Sequence, residues 1–192
     1  MNNKTKKMVI AALMTAFTCI ATMIIKIPTP TFGYIHLGDG LVLLCGILLG
    51  PLYGAFAAGA GSMFSDIFSG YASWAAATFI IKSLTAGTAG ILFKRICKTA
   101  HQTDSTRNRN IRVIAGGSIG ELIMVTGYFL YETGLAAFAS GGFTTAAIAA
   151  GATASAAGIP FNIAQGVVGI LICLVLLPVL QKIPDVRNML SD

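Results

Sequence analysis

Two ionisable side chains sit deep in apolar sequence: Lys82 within the run 74–93 and Glu121 within 111–134. A cation held in lipid costs roughly 2.5–3.5 kcal/mol on insertion scales, so such residues pair, bind something or face a polar interior. Residues suited to small-molecule recognition recur around them. Trp74, Thr78 and Lys82 repeat every four residues; Glu121, Val125, Tyr128 and Glu132 follow at spacings of four, three and four. On helices, each set falls on one face. Lys82 is then either a ligand contact or the partner of Asp66 in an ion pair, and Glu121 needs a partner or a proton. Asn162 and Gln165 open the last apolar run, where amides hydrogen-bond across helices or to a ligand. Tyr34 and His36 lie in the loop after the first run; they either cap a site or belong to an interfacial aromatic belt. Stacking faces with converging amides and charges describe a pocket for a small heteroaromatic ring bearing hydroxyl groups.

The same inventory argues against catalysis and metals. Ser62 follows Gly61, but both histidines, His36 and His101, fall in loops expected on opposite sides of a membrane. A membrane-embedded serine would have no histidine base, so no catalytic residue is assigned and an enzyme is not expected. His36 has no ligand neighbours at metal spacing, and Cys19, Cys45, Cys97 and Cys173 form no CxxC pair; no metal or other cofactor is expected. The cysteines read as small buried hydrophobes.

The elements that must position these residues are membrane helices. Of 192 residues, 55% are hydrophobic and 10% charged. Soluble domains carry about 25% charged residues. With about 20 apolar residues per crossing, the chain accommodates about six spans in a single integral membrane domain, 1–192, with little left for a soluble one. The net charge of +6 does not indicate nucleic acid, because most basic residues stand at the ends of apolar runs.

The expected spans are 7–27, 39–49, 52–68, 74–93, 111–134 and 158–181. Lys4, Lys6 and Lys7 precede the first, which is too long for a signal h-region and lacks a cleavage motif, so it reads as an uncleaved span. Lys94, Arg95, Lys98, Arg107, Arg109 and Arg112 mark 94–112 as a cytoplasmic loop, and Lys182 and Arg187 put the C-terminus on the same side. Loops 28–38 and 69–73 are then outside. Residues 135–157 read as an outer loop with a short helix at 143–156, and Pro178 and Pro184 end the last span. Gly46, Gly50, Gly54, Ala58, Ser62 and Asp66 form a small-residue stripe for helix packing; Asp66 at its end caps backbone donors of the next loop or meets a cation. Ala12 and Ala16, one turn apart, make a flat strip either for a partner helix or for packing within the chain.

The ordered set of Ala12-x-x-x-Ala16, Gly-Tyr-Ile-His-Leu-Gly-Asp at 33–39, Leu-Leu-Gly-Pro-Leu-Tyr-Gly-Ala-Phe-Ala-Ala-Gly at 48–59 and Asp66-x-x-x-Gly70-Tyr71 before Trp74 resembles the substrate-binding S component of energy-coupling factor (ECF) vitamin transporters. The resemblance covers nearly the whole chain. It implies an all-α bundle of about six helices with both termini cytoplasmic, multi-pass in a prokaryotic cytoplasmic membrane, and a vitamin held near the outer face under the first, third and fifth loops. It further implies a transmembrane coupling subunit, docked through Ala12 and Ala16, and two cytoplasmic ATPases. In keeping with it, the chain has no GxxxxGK[ST] phosphate loop of its own. It leans toward a hydroxymethylpyrimidine- or pyridoxine-like ligand, with riboflavin-type vitamins also qualifying. The rival reading is an autonomous secondary transporter or channel in which Lys82 and Glu121 carry protons.

Overall fold

The computed structural model describes residues 3–29, 34–99, 106–184 and 186, with side chains from Lys4 onward except at 97–99. Pro30, Thr31, Phe32 and Gly33 of the first loop, His101, Gln102 and Asp104 of the basic segment, and Arg187 lie outside the described residues, as do the side chains of Cys97 and Lys98.

The chain is almost wholly helical: α1 (Asn3–Ile24), α2 (Asp39–Leu49), α3 (Pro51–Phe68), α4 (Ala72–Thr99), α5 (Thr106–Ala139), α6 (Thr145–Ser155) and α7 (Ile159–Leu180). Four described stretches are long and apolar enough to cross a membrane: Lys4–Ile24, Ala72–Ile96, Thr106–Ala139, and Thr145–Leu180, where α6 continues through a 3-10 turn into α7. Large side chains such as Leu52, Phe56, Ile80, Leu122 and Val175 are exposed on the outside of the bundle. Such a surface suits lipid, which solvates apolar groups as readily as a protein core does.

The centre belongs to α2. Ten of its 11 residues are buried, because α1, α3, α4 and α7 enclose it. At 1.5 Å per residue it is too short to cross a bilayer alone. The Gly50-Pro51 turn folds it back into α3: Gly50 takes φ 80°, open to glycine, and Pro51 starts the next helix. The small-residue stripe is a packing surface. A Cβ at Gly46 would fall 1.9 Å from the Ala86 carbonyl oxygen on α4, and one at Gly90 would fall 2.3 Å from that of Gly46. Two glycines thus let α2 and α4 cross backbone to backbone.

Four expectations are corrected. The first span stops at Ile24, and Lys26–Pro28 and Tyr34–His36 form an antiparallel hairpin, β1 and β2, pairing Lys26 with His36 and Pro28 with Tyr34. Each strand has three residues, and its prolines masked it as plain loop. The basic segment 94–112 is largely helix, since α4 runs to Thr99 and α5 starts at Thr106. Pro178 does not end α7; it sits in the last turn, before Leu180. Lys82 does not pair with Asp66, because Asp39 lies closer.

The strip of Ala12 and Ala16 is exposed, while Met14, Thr18 and Thr22 face the bundle. Packing within the chain therefore does not use it. Cys19, Cys45 and Cys173 are free thiols.

Candidate functional site

The helices place the chemistry at one end. There the end of α1, the hairpin, the α3–α4 turn, the later part of α5 and the start of α7 converge. A cavity with about 380 Å³ of empty space, its open mouth included, lies between them. Tyr34, His36, Trp74, Thr78, Tyr128, Glu132 and Asn162 all line it. Asp66, Tyr71 and Thr29 complete the wall.

The upper wall is aromatic and hydrogen-bonded. Tyr34 Oη donates to Asp66 Oδ1 at 2.6 Å. Its ring stands 4.8 Å from Tyr71 and 5.6 Å from His36, and Lys26 Nζ lies 5.0 Å from its centroid. Lys26 also donates to Ser69 Oγ, tying the hairpin to the α3–α4 turn. Burial, and then the Asp66 carboxylate, push the Tyr34 phenol well above its usual range, so it remains a donor. Trp74 packs 6.3 Å from Tyr128 and 5.2 Å from Tyr131, whose hydroxyl holds the Ser73 carbonyl. Tyr128 Oη donates to Thr78 Oγ1 at 3.3 Å. Asp66 Oδ2 faces Thr78 without a hydrogen bond of ordinary geometry.

Lys82, Glu121 and Gln165 lie one layer down and do not line the cavity. Lys82 Nζ meets Asp39 Oδ1 at 2.5 Å, both side chains wholly buried, and stands 5.3 Å from the Tyr128 ring. Gln165 Nε2 donates to Asp39 Oδ2 at 2.6 Å, while its Oε1 accepts the His36 backbone N–H at 2.9 Å. Glu121 is buried beside this pair, against Gly166. Asp39 is the residue the sequence reading missed as a partner: it stands 43 positions from Lys82, on a different helix, where no local spacing shows it. Asp66 was visible as the end of the small-residue stripe. Its carboxylate takes the Tyr34 hydroxyl, while its backbone carbonyl accepts from the Ser69 and Tyr71 amides.

His36 bridges the layers. Its Nδ1 accepts the Gly38 backbone N–H at 3.0 Å. Burial above all, with Lys82 and Lys26 acting the same way against Asp39, lowers its pKa to about 3. Among the described residues no three His, Cys, Asp or Glu side chains cluster to hold a metal. The arrangement offers ring faces, carboxylate acceptors and a few N–H and O–H donors around an open cavity, the mix of groups found in small-molecule sites.

Comparison with known proteins bears on the family and the fold. Residues 2–182 match the family model described as ECF-type riboflavin transporter, S component. A Pyrococcus woesei protein described as an uncharacterized protein in a gap 3' region is 38% identical over 110 residues, 57% of this chain. The alignment spans 66% of that relative, just under two thirds of its length. A solved structure of the S component of a bacterial ECF transporter superposes with a TM-score of 0.62 over 93% of this chain and 97% of that one, at 18% identity. At that identity it speaks for the fold.

Proposed function

The chain belongs to the S component family of ECF-type riboflavin transporters, and from that premise we propose that it is the substrate-binding subunit of a vitamin importer. The cavity carries this reading: it joins aromatic faces to two carboxylates at one end of an otherwise apolar bundle. Apart from Lys26 and Lys82, the basic residues gather at the opposite end, at the start of α1, the end of α4, the start of α5 and just after α7. By the positive-inside rule that end faces the cytoplasm and the cavity opens outward.

The ligand is a small heteroaromatic vitamin or precursor of the hydroxymethylpyrimidine or pyridoxine type. Its ring packs near Trp74, Tyr71 and Tyr34, and its amino or hydroxyl hydrogens go to Asp66 and Glu132. The wall joins stacking faces to a few converging polar groups, which suits a flat ring. Riboflavin is the second reading, favoured by the matching family model. Transport then requires a transmembrane coupling subunit and two ATPases. The exposed Ala12 and Ala16 strip, with nothing packed on it among the described residues, is where the coupling subunit docks.

Mass spectrometry of whatever co-purifies, followed by calorimetry with pyridoxine, hydroxymethylpyrimidine and riboflavin, tests the ligand. Binding of none of them would overturn the vitamin reading. Uptake by vesicles that contain this chain but no ATPase would favour an autonomous transporter instead. Single cysteines at Ser140 and Lys182, in a cysteine-free background, should label from opposite faces; labelling from one face would overturn the orientation.

A further inference from the structure

A side chain that lines the cavity is normally free to choose its protonation and rotamer. His36 is not, because two hydrogen bonds connect it in series to the buried ion pair. Lys82 holds Asp39 Oδ1, and Asp39 Oδ2 holds Gln165 Nε2. An ionised carboxylate only accepts, so the Gln165 amide has one possible orientation, with Oε1 turned to the His36 backbone N–H. That contact seats the residue. The imidazole is then fixed from its other side: Nδ1 accepts the Gly38 backbone N–H, so it carries no proton of its own. In a neutral imidazole with Nδ1 accepting, the proton is on Nε2. Nε2 takes no partner among the described residues and belongs to a ring that lines the cavity.

We propose that His36 is the fixed hydrogen-bond donor of the cavity, giving Nε2–H to a ring nitrogen or carbonyl oxygen of the ligand, and that Gln165 is the positioning residue that holds it in place. The specificity part rests on the vitamin-binding reading; the locked tautomer does not. The donor complements the wall around it, where Asp66 and Glu132 accept. A heterocycle that presents both an acceptor and exocyclic hydrogens satisfies both sets, whereas a hydrocarbon ring of the same shape leaves Nε2–H unpaired.

The charges facing His36 act together. Lys82 from α4 and Lys26 from β1 oppose a second proton; Asp39 from α2 favours one but is already engaged by Lys82 and Gln165. Tyr34, Asp66 and Glu132 share the cavity wall. Adding a proton at Nδ1 would also break the Gly38 contact and leave a backbone N–H facing another donor. Depression of the His36 pKa to about 3 agrees with this geometry.

The chain has two histidines, so 15N-histidine labelling of the full-length protein in micelles, in a His101→Gln background, leaves His36 as the single signal. The expected spectrum is a neutral imidazole protonated at Nε2, unchanged between about pH 5 and 8. Gln165→Leu should release the ring, giving mixed tautomers or a titration near its ordinary value, a change that loss of packing alone would not produce. A wild-type ring that titrates near pH 6.5, or that carries its proton on Nδ1, would overturn the lock. In calorimetry with whichever of pyridoxine, hydroxymethylpyrimidine or riboflavin binds, His36→Gln, which keeps a donor near Nε2, should hold affinity within about threefold. His36→Phe should weaken it by about tenfold or more. Equal affinity in the Phe variant would overturn the donor role. Failure of all three probes beside a locked Nε2–H signal would count against the vitamin reading alone.

Discussion

Asp39 and Asp66 are both buried aspartates at helix ends, and they sit in different circumstances. Asp39 is fully satisfied: Lys82 takes one oxygen and Gln165 the other, with no exposure at all. Asp66 is half satisfied, with Tyr34 on one oxygen and the other lacking an ordinary hydrogen bond at the cavity wall. A satisfied buried charge has nothing left to offer a newcomer, while a half-satisfied one has both the incentive and the geometry to accept a donor. The layer around Asp39 therefore serves the fold, and under the proposed function the layer around Asp66 serves recognition.

The sharpest break is in the lower layer. Lys82→Met strands Asp39 in the interior, and removing one partner of a buried pair costs about 3–5 kcal/mol. Thermal unfolding in detergent should show a large loss, and adding Asp39→Asn should recover much of it. A stable Lys82→Met protein would mean that the layers are not distinct in kind. The next effect is in the upper layer. Asn162→Ala should cost about 1–3 kcal/mol in ligand binding with little change in unfolding temperature, as calorimetry beside thermal melts would reveal.

A smaller effect comes from pH. The folded pKa of His36, about 3, lies below its ordinary 6.5, so the unfolded chain takes up a proton before the folded one does. The contribution of neutral His36 is complete above about pH 6.5 and lost as pH falls toward about 3. His36→Gln should flatten that part of the stability profile; an unchanged acid slope would place the proton uptake elsewhere. The smallest effect on the bundle belongs to Ala12→Trp. Exposed substitutions stay within about 0.5 kcal/mol, so binding and melting should survive while ATP-driven uptake and co-purification with the coupling subunit fail. Parallel loss of stability would return the strip to internal packing.

Periodicity made one coordinate of the site legible. Trp74, Thr78 and Lys82 do share a face of α4, and Tyr128 and Glu132 one of α5, as the four-residue spacing requires. Depth along that face was not legible. Lys82 is one turn below Thr78, about 6 Å, and that turn separates a cavity wall from a sealed ion pair. Only the position of α2 decides where the wall ends. The pairing of Asp39 with Lys82 depends on how α2 enters the bundle, and the glycine contact of Gly46 with α4 sets that crossing. The hairpin was hidden for a different reason. Three-residue strands carry little alternation to detect, and Pro28, usually a sign of irregular chain, sits at an end of the pair.

The shortness of α2 has a consequence for the route a solute must take. Its 11 residues span about 16 Å from Asp39 to the Gly50 turn, which sits by Lys94 at the basic end. The hydrocarbon layer is about 30 Å thick. With the Gly50 turn at the inner boundary of that layer, as the proposed orientation has it, the cavity lies in the outer half of the bundle. Under the proposed function, the closed part of the path is then about one short helix deep, and the energised step acts on that part.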